Sequence, residues 1–112
     1  MKTNLKVLSL NTVRKMADAA EIEARKLGAD VGIAVVAADA SIFFTRSMDK
    51  VTGVLAREVM KRAQNALEDA SCDNAEFIFN EEGNLGVLVI DGADEVINKQ
   101  CAQAALSVIA EA

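Results

Sequence analysis

A short run of uniformly apolar residues, from Val31 to Val36, limits the fold of this chain more than any other feature of its sequence. A strand that is apolar throughout is typical of the middle of a sheet, where both of its faces are buried. A polar break from Ala37 to Ser41 follows, and then a second apolar run from Ile42 to Phe44. We therefore predict an antiparallel hairpin with its second strand over residues 41–46, although its turn contains no Gly, Pro or Asn.

A helix is predicted on the N-terminal side of this hairpin, over about residues 10–27. Ser9 is a suitable N-cap, because its hydroxyl can accept a hydrogen bond from a backbone N–H of the first turn. Gly28 is suitable for the left-handed residue that ends a helix. Apolar residues recur between them at spacings of three and four, which predicts one buried stripe: Leu10, Val13, Ala17, Ala20, Ala24 and Leu27.

The second half of the chain predicts the remaining elements. A second helix is expected over about residues 52–70, and strands over residues 76–80 and 85–90 are joined by a turn that contains Gly83. The strand over residues 85–90 is rich in Val, Leu and Ile, so we expect it to be central in the sheet as well. A last helix opens at Asp91 or Ala93, with Asp91 interpreted as a cap. Its buried stripe is Ile97, Cys101, Ala104 or Ala105, and Val108. The order α-β-β-α-β-β-α predicts an α+β fold, with an antiparallel sheet and helices packed on it.

Length and charge exclude several classes of protein. We expect residues 1–112 to form a single domain, since this is close to the commonest domain size. The net charge is −5 and no basic block is present, which argues against a nucleic acid or an anionic membrane as partner. No apolar stretch reaches the ~18 residues of a membrane span, and no signal peptide is evident, so we expect a cytoplasmic protein.

The chain has no His, which removes the commonest general acid or base near neutral pH and the commonest haem ligand. Cys72 and Cys101 are expected to be reduced, and Cys101 is expected to be buried because it lies on the apolar stripe of the last helix. No phosphate-binding loop, nucleophile elbow or paired-cysteine motif is present. An enzyme is therefore the weakest of the possible interpretations.

Several stretches together resemble the GlcG/HbpS-like family, which also occurs as the C-terminal domain of PduO-type adenosyltransferases. The most specific stretch is LSLNTVRKMADAAEIEARKLGADVGIAVV, over residues 8–36. Shorter ones are SMDK, RAQNA, GVLVIDG and CAQAAL. The sequence departs from the family pattern in several places, and it lacks the family's Gly-Gly-x-Pro loop and the usual insertion after the last strand. Ala37 and Ala40 replace the Asp and Gly of the first hairpin, Asn65 replaces a Thr, and Asp91 replaces a Ser.

The resemblance implies a profilin-like α/β/α sandwich with about five antiparallel strands, and it implies homo-oligomers. Some members of the family bind haem or a corrinoid, and members occur beside genes for glycolate, propanediol and glycerol utilisation. No catalytic activity is common to the family. The resemblance therefore implies an accessory protein that binds a tetrapyrrole or a small metabolite.

The candidate ligand-binding residues are Asp39, Arg46, Met48, Asp49, Asn65 and Asp91. Asp39, Arg46 and Asp49 could form the polar rim of a pocket beside the first hairpin, but a solvated turn with a surface ion pair is the favoured interpretation. Met48 could be a soft haem or cobalt ligand, although Met at the end of a strand more often fills a core.

Two functional hypotheses from different classes follow. The first is an accessory protein of the GlcG/HbpS-like type with a ligand site at a subunit interface. The second is a Roadblock-like assembly or regulatory module that shares the same order of elements and binds no small molecule. Both predict a homo-oligomer, because a small Ala-rich domain can bury only part of its apolar surface alone.

Overall fold

The computed structural model describes residues 1–68 and 75–110. The predicted order of elements is confirmed: α1 (Leu10–Lys26), β1 (Gly32–Ala37), β2 (Phe43–Ser47), α2 (Gly53–Glu68), β3 (Ala75–Asn80), β4 (Gly83–Asp91) and α3 (Glu95–Ala110). The predicted C-terminal end of the second helix, at residue 70, lies outside the described residues. So does Cys72.

The caps of α1 and the turn between β3 and β4 form as predicted. The Thr12 N–H donates to the Ser9 side chain at the start of α1. Gly28 and Gly83 take positive φ angles, of 69° and 139°, where a side chain would be strained. These positions are decided by local backbone geometry, which is why the sequence predicts them.

The beginning of α3 differs from the prediction. The helix starts at Glu95 and not at Asp91 or Ala93. The Ile97 N–H donates to Oδ1 of Asp94 at 2.9 Å, so Asp94 caps the helix. The interpretation of Asp91 as a cap was wrong, because its carboxylate is turned towards other elements.

The sheet has the order β2-β1-β4-β3, and all neighbouring strands are antiparallel. The central strands are β1, which is apolar throughout, and β4, whose residues 85–90 are apolar, as predicted. Within the described residues the sheet has four strands and not about five. The N-terminal segment adds only an isolated bridge between Lys2 and Phe79 at the outer edge of β3, because it runs beside β3 too briefly to form a strand.

The helices lie on both faces of the sheet, which confirms the α/β/α sandwich. Helices α1 and α3 pack together on one face, against side chains such as Ile33 and Val35 of β1. Helix α2 covers the other face, against side chains such as Ala34 and Val36. Because successive side chains of a strand point to opposite faces, a strand between two helical layers must be apolar throughout.

The predicted stripes of the helices are largely buried, with differences at their ends. Leu10 and Leu27, at the two ends of the α1 stripe, are 45% and 38% exposed. The buried side of α3 is wider than predicted, since Asn98, Ala102, Leu106 and Ile109 join Cys101 and Ala105 in the interior. None of the helices in the described ranges combines the length and the apolar character that crossing a membrane requires.

Candidate functional site

The turn of the first hairpin is held by its own polar groups. Oδ1 of Asp39 accepts hydrogen bonds from the Ser41 hydroxyl, at 2.5 Å, and from the Ser41 N–H, at 3.0 Å. These two bonds lower the pKa of Asp39, the hydroxyl having the larger effect. Ala40 takes a φ of 62°. The Asp39 carboxylate points back into the turn. Its hydrogen bonds with Ser41 stabilise a turn in which Ala40 adopts a conformation that usually favours glycine.

Arg46 connects the hairpin to α1. Its Nη1 donates to Oδ1 of Asp18 at 2.5 Å and lies 3.8 Å from a carboxylate oxygen of Glu21. Its guanidinium also lies 5.5 Å from the centre of the Phe44 ring, within the range of a cation–π contact. All these contacts of Arg46 lie on the α1 side of the sheet.

Met48 and Asp49 follow β2 and point in different directions. Met48 is 7% exposed and belongs to the core under α1 and α3. Its sulfur accepts a hydrogen bond from the Val31 N–H at 3.4 Å, so the interpretation of Met48 as a core-filling residue fits its position. Asp49 is exposed. No hydrogen bond or ion pair joins any two of Asp39, Arg46 and Asp49, which are spread along the hairpin.

Asn65 lies beside an open depression between the hairpin and α2, which we call the hairpin groove. Its volume is about 390 Å³. The apolar wall includes Ile42, Phe43 and Leu67, and the polar wall includes Gln64, Asn65 and Glu68. Asn65 is exposed on α2 and is the only one of the predicted site residues to line this groove.

Asp91 is the centre of a polar network that joins three elements. Its Oδ2 accepts from Nη1 of Arg62 on α2 at 2.5 Å. Its Oδ1 accepts from the Gly92 N–H at 2.8 Å and from Nδ2 of Asn98 on α3 at 3.2 Å. Burial acts to raise the pKa of Asp91, but the Gly92 N–H, Arg62 and Asn98 together outweigh it, and the net pKa is lowered.

Arg62 and Asn98 were not among the predicted site residues, and Asn98 is the buried member of the network. It is 5% exposed, and its amide also exchanges two hydrogen bonds with the backbone of Ala93, each of 3.1 Å. The available signal was a polar residue next to Ile97 on the inner side of the last helix. Every polar atom of the Asn98 side chain has a partner, so we interpret the network as a structural connection between the three elements, although Asp91 and Asn98 also line an open cavity of about 610 Å³.

The donor set offers little to a metal ion or to haem iron. The chain has no His, and no group of three or more His, Cys, Asp or Glu side chains converges on a metal position within the described ranges. Cys101 is fully buried, as predicted. The sulfur of Met48 is buried and already accepts a hydrogen bond. These residues do not fit an iron-ligated haem.

Several solved structures share this fold. A PduOC–haem complex superposes with a TM-score of 0.78 over 92% of this chain and 95% of that chain, at 18% identity. Protein ORFY of Klebsiella pneumoniae, a DUF336 protein, gives a TM-score of 0.80 over 97% and 94% of the two chains, at 14% identity. HbpS gives 0.73 over 96% and 93%, at 18% identity.

These are structures of the kind to which the sequence resemblance pointed, so the chain has the fold of the GlcG/HbpS-like proteins. No protein-family model matches the sequence, and a comparison with curated proteins gives no significant relative. At identities below 20% the likeness concerns the fold, and a ligand cannot be transferred from it.

Proposed function

We propose that this chain is a divergent, non-catalytic accessory protein of the GlcG/HbpS-like type, which forms homo-oligomers and binds a small metabolite in the hairpin groove. The observation that carries the proposal is an open groove beside the first hairpin, on a fold shared with HbpS and with PduOC in a haem complex. The groove also lies next to β2, an edge strand of the sheet. A ligand bound there would be close to any subunit interface that this edge forms.

The walls of the groove favour a small, uncharged ligand with hydroxyl groups. Its volume lies within the range of about 300–1,000 Å³ that is usual for ligand pockets. Phe43 and Leu67 can contact a hydrocarbon portion, while the amides of Gln64 and Asn65 can both donate to and accept from a hydroxyl group. Glu68 would repel an anion. A short diol or triol fits this chemistry better than a carboxylate such as glycolate.

The groove lacks the groups that catalysis would need. Glu68 is the single ionisable side chain among the described residues that line it. General acid–base catalysis requires a positioned group that can exchange a proton with the reacting atoms, and usually a second group of complementary role. A binding function therefore agrees with the residues, and a catalytic one does not.

The alternative is a Roadblock-like assembly module with no small ligand. The hairpin favours it, because Ala37 and Ala40 stand where the family pattern has a polar residue and a glycine, and Asp39 is used by its own turn. Under this alternative the groove would be an incidental result of the packing of α2. Ligand binding, and not oligomerisation, separates the two proposals.

Thermal unfolding with 1,2-propanediol, glycerol and glycolate at millimolar concentrations tests the ligand proposal. We expect a saturable rise in Tm with one of the two uncharged compounds, because a ligand that binds only the folded state stabilises it. The rise should disappear in Asn65→Ala and persist in the control Gln103→Ala, an exposed position on α3. An oligomeric protein that responds to none of these probes would support the assembly module instead.

A further inference from the structure

The two edge strands of the sheet, β3 and β2, differ in how far the rest of the described chain covers them. Along β3, Thr3 donates its N–H to the Phe79 carbonyl at 2.8 Å, and Phe79 donates to the Met1 carbonyl at 3.0 Å. A register shift in its pairing with β4, between Ile78 and Phe79, adds a local bend to this edge strand. Both features are common devices that protect an edge strand from pairing with another chain.

The β2 edge has no such protection within the described residues. Its pairing with β1 is regular from Gly32 opposite Ser47 to Val36 opposite Phe43, and no third strand lies on its outer side. The strand sequence FFTRS contains neither Pro nor Lys, and its one charged residue, Arg46, is bound to Asp18. An exposed, regular edge strand is a template for another strand.

The hydrogen bonds between β1 and β2 show which backbone groups are left open. Ala37 donates to the Ile42 carbonyl, and Met48 donates to the Val31 carbonyl. Ile42 and Met48 therefore direct their backbone groups towards β1. Because this direction alternates from residue to residue along an antiparallel strand, it can be assigned for every residue between them. The N–H and C=O groups that point away from β1 are those of Phe43, Thr45 and Ser47.

We propose that the β2 edge pairs antiparallel with β2 of a second copy of this chain, with Thr45 opposite the partner's Thr45 on a two-fold axis. The inference rests on the homo-oligomer of the proposed function and names the surface that forms it. In this register Phe43 lies opposite the partner's Ser47, so all the outward backbone groups of the strand are paired. A continuous sheet then runs through both subunits.

The side chains are complementary in the same register. Phe44 lies opposite the partner's Arg46, so the cation–π contact of 5.5 Å within one chain gains a counterpart across the interface. No two like charges are placed opposite each other. The two Thr45 side chains form a β-branched pair, which is favourable between neighbouring strands.

Phe43 gives the interface its apolar part. It is paired with Val36, whose side chain lies on the α2 side of the sheet, and it is 43% exposed. A two-fold axis perpendicular to the sheet places both α2 helices on the same face, with the two Phe43 side chains between them. The hairpin groove then borders each end of the paired strands, where Phe43 supplies an aromatic contact of the kind that is favoured in interfaces.

A pair of five-residue strands is a small interface, and small interfaces are typical of weak or transient complexes. We therefore expect a dimer that dissociates in the micromolar range. Sedimentation equilibrium over about 1–100 μM should give a mass that rises from 11.9 kDa towards twice that value.

The test compares Thr45→Pro with Thr45→Val. Proline removes the outward N–H and leaves the bonds to β1 intact, whereas valine keeps both the N–H and the branched side chain. We expect the proline variant to lose at least about tenfold in dimer affinity, since tenfold corresponds to only ~1.4 kcal/mol. The valine variant should dimerise like the wild type. Circular dichroism checks that the proline variant is folded.

A second measurement applies if the proline variant fails to fold. In a Cys72→Ser background, Thr45→Cys should form a disulfide-linked dimer under mild oxidation, because directly opposed, hydrogen-bonded residues have Cα atoms ~5.5 Å apart. Gln103→Cys in the same background is the control and should remain uncrosslinked.

The outcomes separate the two proposals. A wild-type protein that stays at 11.9 kDa at 100 μM overturns both the oligomer and this interface. A dimer that survives Thr45→Pro unchanged, or that gives no cross-link at Thr45→Cys, overturns the β2 interface and leaves the oligomer to another surface. A shift in Tm with a diol bears on the groove alone.

Discussion

Ala40 has a φ of 62° in the first hairpin, in the left-handed region that residues with a side chain rarely adopt. The family pattern has Gly at this position. The hydrogen bonds of Asp39 with Ser41, and that of the Ala40 N–H with the Ala37 carbonyl at 3.0 Å, hold the turn in spite of the strain. The turn is thus stabilised by local hydrogen bonds around a left-handed residue that is not glycine.

Replacing Ala40 by Gly is expected to raise the free energy of unfolding by about 0.5–1 kcal/mol, because glycine removes the left-handed strain at some cost in unfolded-state entropy. Urea denaturation should show a higher midpoint at an unchanged slope. The matched control is Ala38→Gly, in the same turn without a positive φ, which should lower the midpoint. Equal effects of the two substitutions would contradict the interpretation.

Cys101 is fully buried between α3 and the core. Burial raises the pKa of its thiol, and the negative charge of Glu23 raises this pKa further. Since the thiolate is the reactive form, both effects protect it. In a Cys72→Ser background we expect native-state alkylation by iodoacetamide to be at least about a hundredfold slower than in urea, as measured by mass spectrometry. Rapid labelling without denaturant would show that α3 opens readily.

At the scale of elements, the hydrogen bonds of Asp91 connect β4 with α2 and α3. Asp91→Asn should lower the free energy of unfolding at pH 7 by about 1–2 kcal/mol, because it removes the charge that Arg62 and the Gly92 N–H stabilise. The pKa of Asp91 is lowered in the folded state, so its stabilisation is complete above the ordinary Asp pKa. It is lost as the pH falls through the lower, folded-state pKa.

The measurement is urea denaturation of both proteins between pH 7 and the acid limit of folding. The advantage of the wild type over Asp91→Asn should be constant from pH 7 to about pH 5 and should shrink below about pH 4. Asp49→Asn makes the same chemical change at an exposed position and should alter stability at pH 7 by less than about 0.5 kcal/mol. A stability difference between the two proteins that increased as the pH fell would contradict a lowered pKa of Asp91.

Gly86 decides how closely β4 approaches β1. A Cβ atom at this position would lie 2.5 Å from the Val36 carbonyl oxygen and 2.8 Å from a methyl group of Leu8. Gly86→Ala should therefore destabilise the protein by about 3 kcal/mol or more, since backbone cannot move aside cheaply. Gly53→Ala, where the nearest atom is 3.8 Å away, is the control and should change little. A stable Gly86→Ala variant in thermal unfolding would contradict this packing.

At the scale of the whole molecule, a fold shared with a PduOC–haem complex is combined with a chain that has no His. We expect no saturable shift of the Soret band when haemin is titrated at micromolar concentrations, because the sulfur of Met48 is engaged in the core. Met48→Leu conserves the volume of the side chain and serves as the control. A saturable complex in the wild type that is lost in Met48→Leu would show that Met48 reaches the iron.

The candidate site was only partly predictable. A polar rim beside the hairpin was expected from Asp39, Arg46 and Asp49, but each of them lies apart from the others. Asn65 does line a groove at this hairpin. The ion pairs of the two arginines join residues far apart in sequence: Arg46 binds Asp18, and Arg62 binds Asp91. Such pairs follow from the placement of helices on the sheet, which no local pattern contains.

The sequence by itself determined the order of the elements, the two central strands, the Ser9 cap and the glycine turns at Gly28 and Gly83. Each of these depends on backbone conformation and periodicity over a few neighbouring residues. Only the tertiary structure decided that Asn98 is buried, that Met1–Thr3 protects one edge of the sheet, and that no strand from residues 1–68 or 75–110 covers the β2 edge. These features depend on strand order, which brings together residues about 75 positions apart, as the hydrogen bond between Asn80 and Leu5 illustrates.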